Sequence, residues 1–183
     1  MRIKLPNSYF EEIDNSIRLI WRDNLYADFE KSFLEKAIKR KFRIKPEISV
    51  EDGYLTVNTV NEEIEKFIAF LLQSHLGEFL KSKYTRRKVL YIHEGMGVPL
   101  LGYNGFGLID RGTNLIQVRG STGCNLSCIF CSVDEGPYSR TRVLDYVVDV
   151  DYLLKWFDEV ARFKGKGLEA HLDGQGEPLL YPF

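Results

Sequence analysis

Helix-like and strand-like patterns of apolar and polar positions alternate over the first part of the chain. Apolar side chains at helical spacing predict one helix over residues 26–42 and a second, about twenty residues long, after Asn61, a favoured N-cap residue. Between them, two strand-like stretches flank a turn at residues 51–53, and residues 88–93 predict a further strand. This pattern predicts an N-terminal mixed α/β domain over residues 1–112.

The pattern changes to strand, helix, strand from residue 113 onward. Residues 114–119 predict the first strand and residues 168–172 the second. The amphipathic helix between them begins at an aspartate N-cap, either Asp149 or Asp151. Such a βαβ unit makes its two strands parallel, and the loops at the carboxyl ends of parallel strands share one edge. We therefore expect the cysteine-containing loop after the first strand and the glycine-rich loop after the second to face one site.

Composition narrows the class of protein. Lys and Arg number 25 against 26 Asp and Glu, for a net charge of -1, and 44% of residues are hydrophobic. These values are typical of a globular protein and exclude collagen, low-complexity disorder and a strongly basic nucleic-acid coat. No stretch approaches the ~18 apolar residues of a membrane-spanning helix, and the N-terminus lacks a signal-peptide core. We expect a cytoplasmic protein without membrane association.

The three cysteines of the chain are Cys124, Cys128 and Cys131, spaced C-x3-C-x2-C. An odd, clustered set in a reducing compartment indicates a metal or cluster site rather than disulfides. Three thiolates of one loop can each bind one iron of a [4Fe–4S] cluster, which normally takes four cysteines. Because the chain has no fourth cysteine, one iron would keep an open coordination position.

Two motifs resemble those of the radical S-adenosylmethionine superfamily. Residues 124–131 resemble its C-x3-C-x-Φ-C signature, with Phe130 at the aromatic position. Residues 174–178, Gly-Gln-Gly-Glu-Pro, resemble its G-G-E-P element in the G-x-G-E-P form and follow the second predicted strand. The resemblance covers residues 112–183 and is greatest to the less characterised archaeal members.

The resemblance implies a site and a chemistry. The three cysteines would bind a [4Fe–4S] cluster, whose open iron would take the amino and carboxylate groups of S-adenosyl-L-methionine. Reductive cleavage would then generate a 5′-deoxyadenosyl radical that abstracts hydrogen from an unknown substrate. The residues implied to contact this cofactor are Phe130, Gly174, Gln175, Gly176 and Glu177. No residue is assigned as catalytic, and a ferredoxin or flavodoxin would supply the electron.

The resemblance also implies a fold, a partial (β/α)6 barrel of the TIM type. Residues 113–183 would supply only its first βαβ unit, whereas a full (β/α)8 barrel needs about 250 residues. We therefore expect an α/β protein in which the mixed domain precedes an incomplete barrel. The sequence would then be an N-terminal fragment of a longer enzyme, inactive by itself.

Several alternatives remain open on the sequence. The cysteines and His171 could form a Cys3His zinc site, in a non-catalytic zinc- or iron–sulfur-binding interaction module. Basic residues over 36–45 and 86–88 would suit RNA, but a solvated helix face explains them as well. Arg119 would tune the cluster or pair with a neighbouring acid. The arginines at positions 140 and 142 would hold an anion at the site mouth or be solvated.

Overall fold

The computed structural model describes residues 1–183 and divides into two compact units, Met1–Lys81 and Ser82–Phe183. In chain order, the first unit contains β1 (Arg2–Ile3), β2 (Ser8–Ile13), β3 (Ser16–Trp21), β4 (Leu25–Glu30), α1 (Lys31–Phe42), β5 (Ile48–Glu51), β6 (Tyr54–Val57) and α2 (Glu62–Phe79). Strands β2, β3 and β4 form an antiparallel meander, and β1 and β5 pair with the two edges of β6 in a second antiparallel sheet.

The two helices of this unit bury one face each in its hydrophobic core. Helix α1 contributes Leu34 and Ile38, and α2 contributes a stripe that includes Ile64, Ile68 and Leu72. The side chain of Asn61 accepts a hydrogen bond from the N–H of residue 63 at 2.9 Å, so the N-cap predicted for α2 is confirmed.

The helix predicted over residues 26–42 is wrong in its first turn. Residues 26–30 belong to β4, in which Leu25, Ala27 and Phe29 are buried and the residues between them are not. This two-residue alternation is the strand pattern, and pairing with β3 satisfies the backbone of β4. The β2–β3 hairpin was not predicted from the sequence.

The second unit follows β7 (Lys81–Ser82), which spans the division between the units. Its other elements are β8 (Lys88–Ile92), β9 (Gly107–Asp110), β10 (Leu115–Arg119), β11 (Thr122–Gly123), β12 (Leu144–Val148), α3 (Val150–Lys164), β13 (Glu169–Leu172) and β14 (Gln175–Gly176). Strand β10 pairs with β13 in parallel and with β9 antiparallel, β12 pairs with β8 in parallel, and β11 pairs with β14 in parallel. The N-cap of α3 is Asp149, which accepts from the N–H of Tyr152 at 3.0 Å.

The predicted fold class, with a barrel unit over residues 113–183, is wrong. The chain forms four sheets of two to six strands, and none of them closes into a barrel. Strands β10 and β13 do pair in parallel, but the other neighbour of β10 is the antiparallel β9. Strand β12, which lies in a predicted loop, pairs with β8 outside that sheet. A TIM-type barrel instead needs consecutive parallel strands in one sheet.

The compact units also divide the chain at a different place from the predicted boundary at residue 112. Residues 82–112 lie in the second unit because β8 pairs with β12 and β9 pairs with β10. The pairing of β8 with β12 joins segments distant in sequence, which local patterns do not reveal, and the β9–β10 hairpin crosses the predicted boundary. None of the three helices combines the length and the apolar character needed to cross a membrane.

Candidate functional site

All three cysteines line one cavity in the second unit. The cavity has a volume of about 200 Å³, and Asp134, Glu135 and Gly176 also line it. We call residues 124–143, between β11 and β12, the cysteine loop. All three cysteines are free thiols; Cys124 is half-buried, and Cys128 and Cys131 are exposed.

The cysteine loop folds back on itself. The N–H of Cys124 donates to the carbonyl oxygen of Glu135 at 3.0 Å, and the N–H of Leu126 donates to the sulfur of Cys124 at 3.3 Å. A Cβ atom at Gly136 would lie 2.5 Å from the carbonyl oxygen of Leu126, so only glycine fits there. The first limb of the loop, residues 124–126, and its second limb, residues 135–136, are therefore in direct backbone contact, with the cavity beside them.

The glycine-rich element reaches this cavity through the parallel pairing of β11 and β14. Gly123, just before the first cysteine, is opposite Gly176, and the N–H of Glu177 donates to the Gly123 carbonyl oxygen at 3.0 Å. Gly176 has φ +139°, and a Cβ atom there would lie 2.0 Å from that same oxygen. The close approach therefore requires glycine.

Four of the eight predicted site residues line the cavity, namely the three cysteines and Gly176. Gly174 and Gln175 lie outside its lining. The carboxylate of Glu177 accepts from the N–H of Leu179 at 3.0 Å and caps the 3₁₀ turn Pro178–Leu180. Phe130 is 86% exposed and also lies outside the cavity lining.

Arg119 pairs with a neighbouring acid, as one of its two interpretations predicts. Its Nε lies 2.8 Å from Oδ1 of Asp173, and the side-chain amide of Gln117 donates to the other carboxylate oxygen. Asp173 immediately precedes the glycine-rich element. The ion pair therefore anchors that element to the end of β10.

A buried ion-pair cluster beneath the cysteine loop was missed from the sequence. The guanidinium of Arg87 lies 2.8 Å from Oδ1 of Asp145, and the hydroxyl of Thr85 donates to Oδ2 of the same carboxylate. Asp145 is 1% exposed. An aspartate within the otherwise apolar β12 is the one sequence signal of this cluster, because a charge is buried only when it is paired.

The acidic residues of the cavity differ in their environments. Hydroxyl hydrogen bonds from Thr141 and Ser139 lower the pKa of Asp134, so its carboxylate stays ionised. Burial raises the pKa of Glu135, although Arg142 Nε lies 2.9 Å from its Oε1. Its Oε2 is buried without a hydrogen-bond partner, and Nη2 of Arg87 lies 3.7 Å from it. Arg142 thus pairs with a cavity residue.

No group of three or more His, Cys, Asp or Glu side chains is arranged to hold a metal ion. The structure therefore does not bring His171 together with the cysteines, as the Cys3His zinc interpretation requires. His171 is exposed on β13, and its Nε2 lies 3.8 Å from the carboxylate of Glu169. The three thiols line one cavity without converging on a single metal position.

Comparisons with known proteins give one relative and no function. No protein-family model matches the chain, and no solved structure matches it. The chain is 48% identical over 139 residues to the uncharacterized protein MJ0103 of Methanocaldococcus jannaschii, an alignment that covers 74% of this chain and 32% of that protein. The chain thus spans about a third of the length of that relative.

Proposed function

We propose that this protein is a radical S-adenosylmethionine enzyme whose [4Fe–4S] cluster is bound by Cys124, Cys128 and Cys131. One observation carries the proposal: the cysteines with the signature spacing and Gly176 of the G-x-G-E-P element line the same cavity, although about 50 residues separate them in the chain. When bound, the cluster supplies the one-electron reductive cleavage of the sulfonium C–S bond.

The donor set fits a cubane cluster better than a single metal ion. Each thiolate of such a cluster ligates a different iron, so the sulfurs need not converge on one point. The chain has no fourth cysteine, so one iron of the cluster would keep a position for the amino and carboxylate groups of S-adenosyl-L-methionine. The N–H of Leu126 donates to Cys124 Sγ, and hydrogen bonds to cluster sulfurs tune the reduction potential.

The charges around the cavity also suit this ligand. The ionised Asp134 favours a positively charged group, such as a sulfonium with its ammonium. Gly176 lines the cavity, so its backbone is placed to contact the ligand. The free thiols fit a reducing compartment, so we propose the cytoplasm as the location and a ferredoxin or flavodoxin as the electron donor.

The second candidate is a non-catalytic metal- or cluster-binding interaction module. Ile129 is fully exposed on the cysteine loop, and its neighbour Phe130 is nearly so. Solvent-exposed apolar side chains between metal ligands are typical of a surface that binds another protein. In this case the metal or cluster would only stabilise the conformation of the cysteine loop.

Anaerobic reconstitution with iron and sulfide separates the two functions. If the protein is a radical S-adenosylmethionine enzyme, we expect about four irons per chain and a cluster spectrum that changes when S-adenosylmethionine is added. Cys128→Ala should abolish the iron signal, whereas Ser127→Ala, which alters the neighbouring cavity residue, should keep it. One zinc per chain, or a cluster that ignores S-adenosylmethionine, would favour the interaction module.

A further inference from the structure

We propose that Arg87 is a positioning residue that holds the cysteine loop closed in the geometry needed to receive the cluster. The inference deepens the proposed function and, in its cluster-loading consequence, rests on it. Arg87 lies 37 positions before Cys124 in the chain and belongs to neither motif of the superfamily resemblance.

The guanidinium makes contacts on two sides. On one side, its Nε lies 2.9 Å and its Nη2 2.8 Å from Oδ1 of Asp145 in β12. On the other, Nη1 donates to the carbonyl oxygen of Gly136 and Nη2 to that of Glu135, both at 2.9 Å. Arg87 therefore ties a buried carboxylate to two consecutive carbonyls of the cysteine loop.

These two carbonyls lie where the limbs of the loop meet. The Glu135 carbonyl oxygen also accepts from the N–H of Cys124, and Gly136 packs against the Leu126 carbonyl. Gly123, which precedes the loop, packs against the carboxylate of Asp145, because a Cβ atom at this position would lie 3.0 Å from its Oδ2. Loss of the Arg87 bonds should thus free the second limb and uncover Cys124, the half-buried cysteine.

Lysine cannot replace this arrangement. A guanidinium presents donors in a fixed planar fork, whereas an ammonium donates from a single atom. Lys at position 87 would keep a positive charge near Asp145 but could not also reach both carbonyls. Arg87→Lys therefore tests the fork itself without leaving the buried carboxylate unpaired.

The experiment measures alkylation of each cysteine by iodoacetamide in the cluster-free protein, with mass spectrometry as the readout. In Arg87→Lys, Cys124 should react about tenfold faster, the change expected when one charge-assisted hydrogen bond of the closed loop is lost. Cys128 and Cys131, already exposed, should react at the wild-type rate. Arg18→Lys is the matched control, because Arg18 forms a similar pair with Asp28 in the first unit at 2.7 Å.

A second control and a second variant separate positioning from general destabilisation. Tyr152→Phe removes a 2.8 Å hydrogen bond to Val98 in the same unit and should leave Cys124 unchanged. Asp145→Asn keeps the two bonds from Arg87 to the loop carbonyls, so it should accelerate Cys124 less than Arg87→Lys does. An unchanged Cys124 rate in Arg87→Lys, or an equal increase in Tyr152→Phe, would overturn the inference.

The iron content after reconstitution distinguishes a failure of the Arg87 proposal from a failure of the proposed function. If both hold, the wild-type protein takes up iron and Arg87→Lys takes up clearly less. A wild-type protein without iron would refute the proposed function, while the alkylation rates would still decide whether Arg87 closes the loop. Equal iron uptake in both proteins would refute the consequence for cluster loading.

Discussion

Gly176→Ala is the substitution that tests most sharply how the glycine-rich element meets the cysteine loop. The new Cβ atom would lie 2.0 Å from the carbonyl oxygen of Gly123 and 2.6 Å from its carbonyl carbon, both backbone atoms that cannot rotate away. The alanine would also have to adopt φ +139°, which side chains rarely allow. Strands β11 and β14 must therefore separate.

The expected cost comes from two contributions. A non-glycine residue in such a sparsely populated backbone conformation costs about 1–3 kcal/mol. Separation of the strands also breaks the bond from the N–H of Glu177 to Gly123, worth about 1 kcal/mol. We expect Gly176→Ala to lower the free energy of unfolding of the second unit by about 2–4 kcal/mol.

Gly174→Ala is the matched control two residues earlier. Its Cβ atom would meet nothing closer than 3.6 Å, so the change in stability should stay within about 1 kcal/mol. Urea unfolding followed by the fluorescence of Trp156, with Trp21→Phe in all proteins, reports on the second unit. Equal unfolding midpoints for the two alanine variants would refute the close approach of β14 to β11.

Three further substitutions test other parts of the account. Asn61→Ala removes the N-cap bond of α2 and should cost about 1 kcal/mol in urea unfolding; an unchanged midpoint would contradict the cap. Burial raises the pKa of Glu135 above its usual 4.5, so its contribution to the free energy of unfolding is lost as the pH rises through the raised pKa. Glu135→Gln should therefore make the free energy of unfolding depend less on pH in this range. Identical pH profiles for the wild type and the variant would contradict the raised pKa. Phe130→Ala should leave stability within about 0.5 kcal/mol, because the ring is exposed, but weaken the response of the cluster spectrum to S-adenosylmethionine; an undiminished response would remove Phe130 from the cofactor site.

Local signals in the sequence were sufficient for α2 and α3. An aspartate or asparagine before a stripe of apolar residues specifies a cap and a buried face within a few residues, and both features appear at Asn61 and Asp149. The strand β4 was misread because its apolar residues satisfy helical spacing when they are continued into α1. Strand β12 was missed because Asp145 interrupts its apolar run, and its burial depends on a distant arginine.

Some residues of the candidate site could be predicted from the sequence and others could not. The cysteine spacing and the glycine-rich element could be found in the sequence because each is a short, contiguous motif. Arg87 could not, since Asp145 and Glu135 lie 58 and 48 positions away from it and only the fold brings them together. The barrel was inferred from the motifs alone, and motifs specify a site without specifying the sheets around it.

Cluster binding and its response to S-adenosylmethionine can be measured by the electron paramagnetic resonance spectrum of the reduced, anaerobically reconstituted protein, recorded with and without S-adenosylmethionine. We expect the signal of a [4Fe–4S] cluster, and we expect that signal to shift when S-adenosylmethionine is added. An iron–sulfur signal that does not respond, or a protein that retains no iron on Cys124, Cys128 and Cys131, would contradict this expectation.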